Sequence, residues 1–434
     1  MHFLYTFSLR LYYFALWIAS WFNPRAQAWI SGRRGWKKDL REKIEKIRNE
    51  RNDVTPVTSE RSERPYAHYE IIWFHCASLG EFEQGRPLIE DLLQRYPQYK
   101  IIVSFFSPSG YAIRSKYKYA DAVVYLPLDT VANAKFWVDT VRPKAAFFIK
   151  YEYWFNFLNE LKQRGIPAVF VSAVFRQESL FFQWYAGWFR AQLENIHWFF
   201  VQNEPSGKLI QSLGFENVTI SGDTRFDRVS ATAADAGQFP LVKKFCGDAR
   251  IIMGGSTWPE DEAVLIPLIR SNDSTIRYIL ATHDVSEQRI RSLEHSLGMP
   301  SVRYSNLTEE NAGSASILLI DTIGILSQLY QYADLAYIGG AFGSGLHNIL
   351  EAVVFGVPVF FGPRHEKFWE AEALIEKGGA FMVRTADEFS DIALGLLSDK
   401  AKYKQVSAAC LDFIKENRGA TALIMEGTAS LLNS

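Results

Sequence analysis

The stretch Glu70-Ile71-Ile72-Trp73-Phe74-His75-Cys76-Ala77-Ser78-Leu79-Gly80-Glu81 decides how the rest of the chain is read. From Ile71 the residues are β-branched and aromatic and carry no full charge, which predicts a buried strand. Small residues then turn the chain, and Glu81 stands in the first turn of a following helix. The same strand-then-helix pattern recurs outward from this point. Apolar runs at Ile101–Phe106, Ala122–Leu126, Ala145–Ile149, Ala168–Ser172 and Trp198–Gln202 alternate with amphipathic segments. A second series runs through Ile251–Met253, Tyr278–Ala281, Ile317–Ile320, Leu335–Ile338 and Val357–Phe361. Strands alternating with helices predict parallel sheets covered on both faces, so the fold class is α/β with two doubly wound, Rossmann-like lobes. A length of 434 residues suits two such lobes, and the join is expected between Asp227 and Gly247.

Composition narrows the function classes. A formal net charge of -1 gives no global footprint for nucleic acid. Cys76, Cys246 and Cys410 lack CxxC or Cys/His spacing, which argues against structural zinc and for reduced thiols. The N-terminal segment is different: Met1–Phe22 is apolar and aromatic but interrupted by Arg10, and its longest clean run, Leu11–Phe22, is short of the roughly 20 apolar residues that span a bilayer. Arg25, Arg33, Arg34, Lys37 and Lys38 follow, interleaved with Trp29 and Trp36, a pattern that suits an anionic membrane surface. The polar stretch Arg51–Pro65 reads as a linker.

Ligands of doubly wound sheets bind beyond the carboxyl ends of the strands, so a cleft between facing lobes is the expected site. Glu81 falls in that zone either as a residue favoured by the helix dipole or as a general base. Gly254-Gly255-Ser256-Thr257 reads as a phosphate cradle ahead of a helix, or as a tight turn with an N-cap. Gly339–Glu351 is glycine-rich without the GxGxxG order or a GK[ST] ending; Glu351 is placed to accept hydrogen bonds from a ribose diol or to stand solvated on its helix. Lys150 and Glu152 set charge at the end of an apolar strand. Arg225, in Gly222-Asp223-Thr224-Arg225-Phe226-Asp227, offers a cation near the interlobe join.

Together these pieces resemble the 3-deoxy-D-manno-octulosonic acid (Kdo) transferase family. The resemblance rests on the apolar-then-basic N-terminus, Ala77–Glu81, Phe105–Gly110, Leu126–Asp129, Gly222–Asp227, Gly254–Thr257, Ile338–Gly340 and His347–Ala352, in that order. It implies the GT-B glycosyltransferase fold, with lobes facing a central cleft and an N-terminal membrane-associated helix. The implied organisation is an anchoring segment at 1–50, a linker at 51–66, an acceptor-binding domain at 67–230 and a CMP-sugar-binding domain at 231–434. The implied reaction is inverting transfer of Kdo from CMP-Kdo to the lipid A precursor (lipid IVA), with no metal and no cofactor, at the cytoplasmic face of the inner membrane. No nucleic-acid partner is implied.

By motif position Glu81 is expected as the base, Glu152 as the transition-state carboxylate, and Arg225 stands where the family has Lys. Ile323, Gly324 and Ile325, with Asn348, Ile349, Leu350 and Glu351, fall where the family holds CMP. Thr282 and His283 stand in place of a Pro-Arg-His element whose arginine this chain lacks. The leaving phosphate is expected to meet Gly255, Ser256, Thr257 and Arg225. The competing readings are a GT-B enzyme using a UDP- or GDP-sugar, and a catalytically silent membrane-bound scaffold.

Overall fold

The computed structural model describes residues 2–49, 70–150, 152–271, 273–343 and 345–433, so the linker expected at 51–66 lies outside the described residues. Two compact units are present, Met1–Arg228 with Gly419–Ser434, and Val229–Arg418.

Unit 1 is built on a parallel sheet of β1 (Ile71–Cys76), β2 (Lys100–Phe105), β3 (Ala122–Tyr125), β4 (Pro143–Ile149), β5 (Ala168–Ala173), β6 (Trp198–Val201) and β7 (Val218–Ile220). Their order is β3-β2-β1-β4-β5-β6-β7. Every residue of β1 is buried, which is why this strand reads as a continuous run instead of alternating. Trp73, Phe148 and Phe170 point into one core and Phe74, Phe147 and Val171 into the other.

The N-terminal helices are α1 (His2–Ala19), α2 (Pro24–Gly32) and α3 (Trp36–Asn49). In α3, Leu40, Ile44 and Ile47 repeat at helical spacing and are buried in the first core. Arg33, expected at the headgroup layer, is instead buried. It donates to the carbonyls of Leu126, Phe106 and Trp29 and lies 3.9 Å from the Trp29 ring. Arg25, Arg34, Lys37 and Lys38 remain exposed. Thus α2 and α3 fold as part of unit 1. Among the described residues no helix is long and apolar enough to cross a membrane.

The C-terminal boundary also differs from expectation. The last helix, Ala420–Asn433, packs in the second core of unit 1 through Ile424, Met425 and Leu432. Asp227 caps it, accepting from the Gly419 and Thr421 N–H groups and the Thr421 hydroxyl at 2.6–2.7 Å. An amphipathic helix does not say which sheet it will cover, so only tertiary packing fixes this assignment.

Unit 2 repeats the design with β8 (Arg250–Thr257), β9 (Ile276–Thr282), β10 (Val302–Arg303), β11 (Ile317–Leu319), β12 (Leu335–Ile338), β13 (Val359–Phe361) and β14 (Ala380–Met382), in the order β10-β11-β9-β8-β12-β13-β14. In each sheet the direction of winding reverses beside the first strand, between β1 and β4 and between β8 and β12. Such switch points leave a crevice at the carboxyl ends.

Candidate functional site

At the unit 1 switch point, β1 delivers His75 and, one turn on, Glu81; β4 delivers Lys150 and Glu152. Ser78 caps α4 (Leu79–Arg95) in a reciprocal box: the Ser78 N–H donates to Glu81 Oε2 at 2.9 Å and the Glu81 N–H to Ser78 Oγ at 3.4 Å. Glu81 therefore does serve the helix, yet its acidity is also displaced. Burial first, and then the negative charge of Glu152, push its carboxyl up to about 7, against the opposing pull of Ser78 N–H and Lys150.

Glu152 is fixed by two donors. Its Oε2 lies 3.2 Å from His75 Nε2 and accepts from Trp154 Nε1. His75 is fully buried, and its Nδ1 stands 2.9 Å from Ser104 Oγ. Trp73 Nε1 donates to that same oxygen at 2.7 Å, and the Ser104 hydroxyl reaches the Phe74 carbonyl at 3.4 Å. A carboxylate only accepts, so His75 Nε2 is the donor to Glu152. Lys150 adopts a left-handed φ of 71° between the strand and the carboxylate, a conformation held by the surrounding structure.

Arg225 lies in unit 1 with its charge matched. Its Nε and Nη2 reach Asp223 Oδ2 at 2.8 and 2.7 Å, and its N–H reaches Asp223 Oδ1. Asp223 is buried and also receives Gln84 Nε2.

At the unit 2 switch point the strand β8 runs through the whole Gly254–Thr257 motif. Gly255 pairs with Ala281 and Ile338 within the sheet, and a Cβ there would fall 1.8 Å from the Tyr330 hydroxyl. Packing thus requires this glycine. Ser256 forms a bulge with φ 53°. Thr257 is buried and donates to Glu262, which is ion-paired with Arg289. The start of the helix Pro259–Arg270 is occupied by the chain's own carboxylate: Asp261 Oδ2 accepts from the Trp258 and Gly340 N–H groups, both at 2.9 Å. Within the motif expected to cradle phosphate, Ser256 is the bulged member.

Beside it, the rings of Trp258, His283 and His347 stack, with centroids 4.6 and 4.7 Å apart in succession. Trp258 Nε1 donates to His347 Nε2 at 3.3 Å. Burial, and then His283, lower His347 to about 4. Thr282 turns its hydroxyl to the Asp284 carbonyl. Ile323 is 81% exposed and Gly324 has φ 94°, so the loop Ile323–Ile325 presents backbone and an uncovered side chain. Ile349 and Leu350 are buried core residues. Asn348 Nδ2 donates to Glu351 Oε1 at 3.2 Å. Among the described residues no three His, Cys, Asp or Glu side chains are grouped to hold a metal ion.

A family model described as 3-Deoxy-D-manno-octulosonic-acid transferase (kdotransferase) matches residues 38–228. A 3-deoxy-D-manno-octulosonic acid transferase of Haemophilus influenzae is 28% identical, covering 82% of this chain and 86% of its own. Over residues 38–228 the chain is similar to the Kdo transferase family. A bifunctional glycosyltransferase/methyltransferase of Fusobacterium nucleatum is 25% identical over 84% of this chain, which spans only 58% of that relative's length. The UDP-GlcNAc 2-epimerase of Neisseria meningitidis, solved with UDP-GlcNAc, superposes with a TM-score of 0.61 at 14% identity, covering 83% of this chain and 100% of that one. At such identity the likeness is one of fold, the two-unit GT-B architecture.

The named residues are held by others that no motif picks out. His75 and Ser104 orient Glu152, and Asp261 and Trp258 close the end of β8. The available signal was a lone histidine inside an apolar strand, which has no meaning until β4 is known to lie beside β1.

Proposed function

We propose that this enzyme transfers Kdo from CMP-Kdo to a sugar hydroxyl of the lipid A precursor, with inversion and without a metal, at the cytoplasmic surface of the inner membrane. The observation that carries the reading is the pair of unlike carboxylates at the unit 1 switch point. Glu81, with its proton affinity raised toward neutrality, is suited to take a proton from a hydroxyl. Glu152, clamped by two N–H donors, is suited to face positive charge.

In the proposed step the acceptor oxygen gives its proton to Glu81 and bonds to the donor's anomeric carbon. The bond from that carbon to the phosphate oxygen breaks, and CMP departs with the electron pair. Positive character on the donor ring is met by Glu152. Unit 2 holds the nucleotide, with Ser256 and His283 toward the phosphate and Asn348 and Glu351 toward the ribose. Arg225 enters as a brace of the segment after β7, because Asp223 already takes its charge.

Membrane docking is supported by the exposed apolar residues of α1, among them Leu4, Phe7, Leu11, Phe14 and Trp17, and by the exposed cations Arg25, Arg34, Lys37 and Lys38. Incubating the enzyme with CMP-Kdo and the lipid A precursor, then weighing the products, tests the reading. A mass increase of one or more Kdo residues is expected; no increase, with turnover of a UDP- or GDP-sugar instead, rejects it.

A further inference from the structure

A cavity of about 500 Å3 opens in unit 1 at Glu152. Glu152 and Trp154 line it together with Phe155, Phe181 and Phe189, with Tyr5, Leu9 and Tyr12 of α1, and with the exposed Leu180 at the rim. Its second carboxylate, Asp129, is spent within the protein: it accepts from the Tyr5 hydroxyl and from the N–H groups of Asn156 and Phe157. The remaining lining is therefore mostly apolar, with Glu152 as the carboxylate it presents.

We infer that this cavity takes an acyl chain of the acceptor, so that α1 is a wall of the substrate site as well as a docking element. The inference rests on the acceptor reading above. The occupant follows from continuity. A hydroxyl that reacts near Glu152 belongs to the headgroup of an amphiphile, and the apolar space leading away from that point receives what is attached to it. The helix that lines the cavity through Leu9 and Tyr12 also exposes Leu11 and Phe14, and the exposed Trp184 and Tyr185 follow the lining residue Leu180 in sequence. Apolar side chains of α1 thus serve both the cavity and the surface proposed to meet the bilayer. Tyr5 joins the two functions, since its hydroxyl ties α1 to the aspartate that caps the helix Phe155–Gln163.

The test compares the lipid A precursor with the same acceptor after hydrolytic removal of its acyl chains, using the full-length enzyme. The parental protein is expected to show a KM about tenfold or more lower for the acylated acceptor, since each buried methylene adds to binding. Leu9→Trp, which fills the cavity from α1, and Leu180→Trp, which fills it from the rim, are each expected to raise KM for the acylated acceptor toward that of the deacylated one. Because the lost contact is present in both ground and transition states, kcat should change little. Leu4→Trp, on the same helix but outside the cavity, is the control and should leave the preference intact, while all three variants float with anionic vesicles like the parent. Equal KM values for the two acceptors in the parent would overturn the pocket assignment but not the proposed function. So would identical effects of Leu4→Trp and Leu9→Trp that track vesicle binding. Failure to modify either acceptor would remove both.

Discussion

His75 Nε2 lies 3.2 Å from Glu152 Oε2, so one fully buried ring on β1 holds the carboxylate that follows β4. Replacing His75 by Ala leaves Ser104 and Glu152 without this partner. Unpaired buried polar groups cost about 1–3 kcal/mol, which should appear as a lower urea midpoint. A displaced carboxylate is expected to lower kcat by about 10- to 100-fold while KM for CMP-Kdo stays near its parental value. An unchanged kcat in a destabilised variant would make His75 a packing residue only.

The acidity of Glu81 gives a pH signature. A base pushed up to about 7 is half protonated there, so kcat/KM should fall tenfold per unit as pH drops below that value. Stability carries the opposite sign. The unfolded carboxyl loses its proton near its ordinary value of 4.5, whereas the folded one keeps it to about 7. Between these values the native state binds more protons, so this group's contribution to stability declines as pH rises. Glu81→Gln keeps the capping geometry, which glutamine also supports. It should therefore stabilise the protein relative to the parent at pH 8, by roughly 1–3 kcal/mol more than at pH 4. Thermal melts of the two proteins at both pH values measure this.

Gly255 and Tyr330 offer a packing test in unit 2. Gly255→Ala sets a methyl 1.8 Å from the Tyr330 hydroxyl and is expected to cost about 1–3 kcal/mol. Adding Tyr330→Phe removes the nearest atom and should restore part of that loss, giving a favourable coupling in a double-mutant cycle. Additive losses would show that the glycine answers to something other than this ring.

The cap on the last helix makes a fourth prediction. Asp227→Ala removes the acceptor for three donors at Gly419 and Thr421, an expected loss of about 1–2 kcal/mol. Amide exchange in 420–433 should accelerate more than exchange in β1.

Much of this fold was legible because buried parallel strands are long apolar runs punctuated by turns. The reading stopped at the sheet edges. Strands β7, β10 and β14 are only two or three residues long, too short for any periodicity. Motifs alone also do not mark the residues that do mechanical work. Asp129 and Asp227 brace helices, Arg33 is buried against carbonyls and rings, and Gly255 makes room for Tyr330, yet none differs in kind from a ligand-binding residue until its neighbours are known. For Glu81 the sequence left two roles open, and the structure supports a place for both: a cap for α4 and a carboxyl with raised proton affinity.

The central claim is that Glu81 removes the acceptor's proton. Kdo transfer from CMP-Kdo to the lipid A precursor, followed across pH 5 to 9 for the parent and Glu81→Gln, tests it most directly. The account predicts a parental rate that rises to a plateau above about 7, and a variant slower by roughly 100-fold or more whose residual rate no longer shows that rise. A variant that matches the parent in both rate and pH dependence would contradict it.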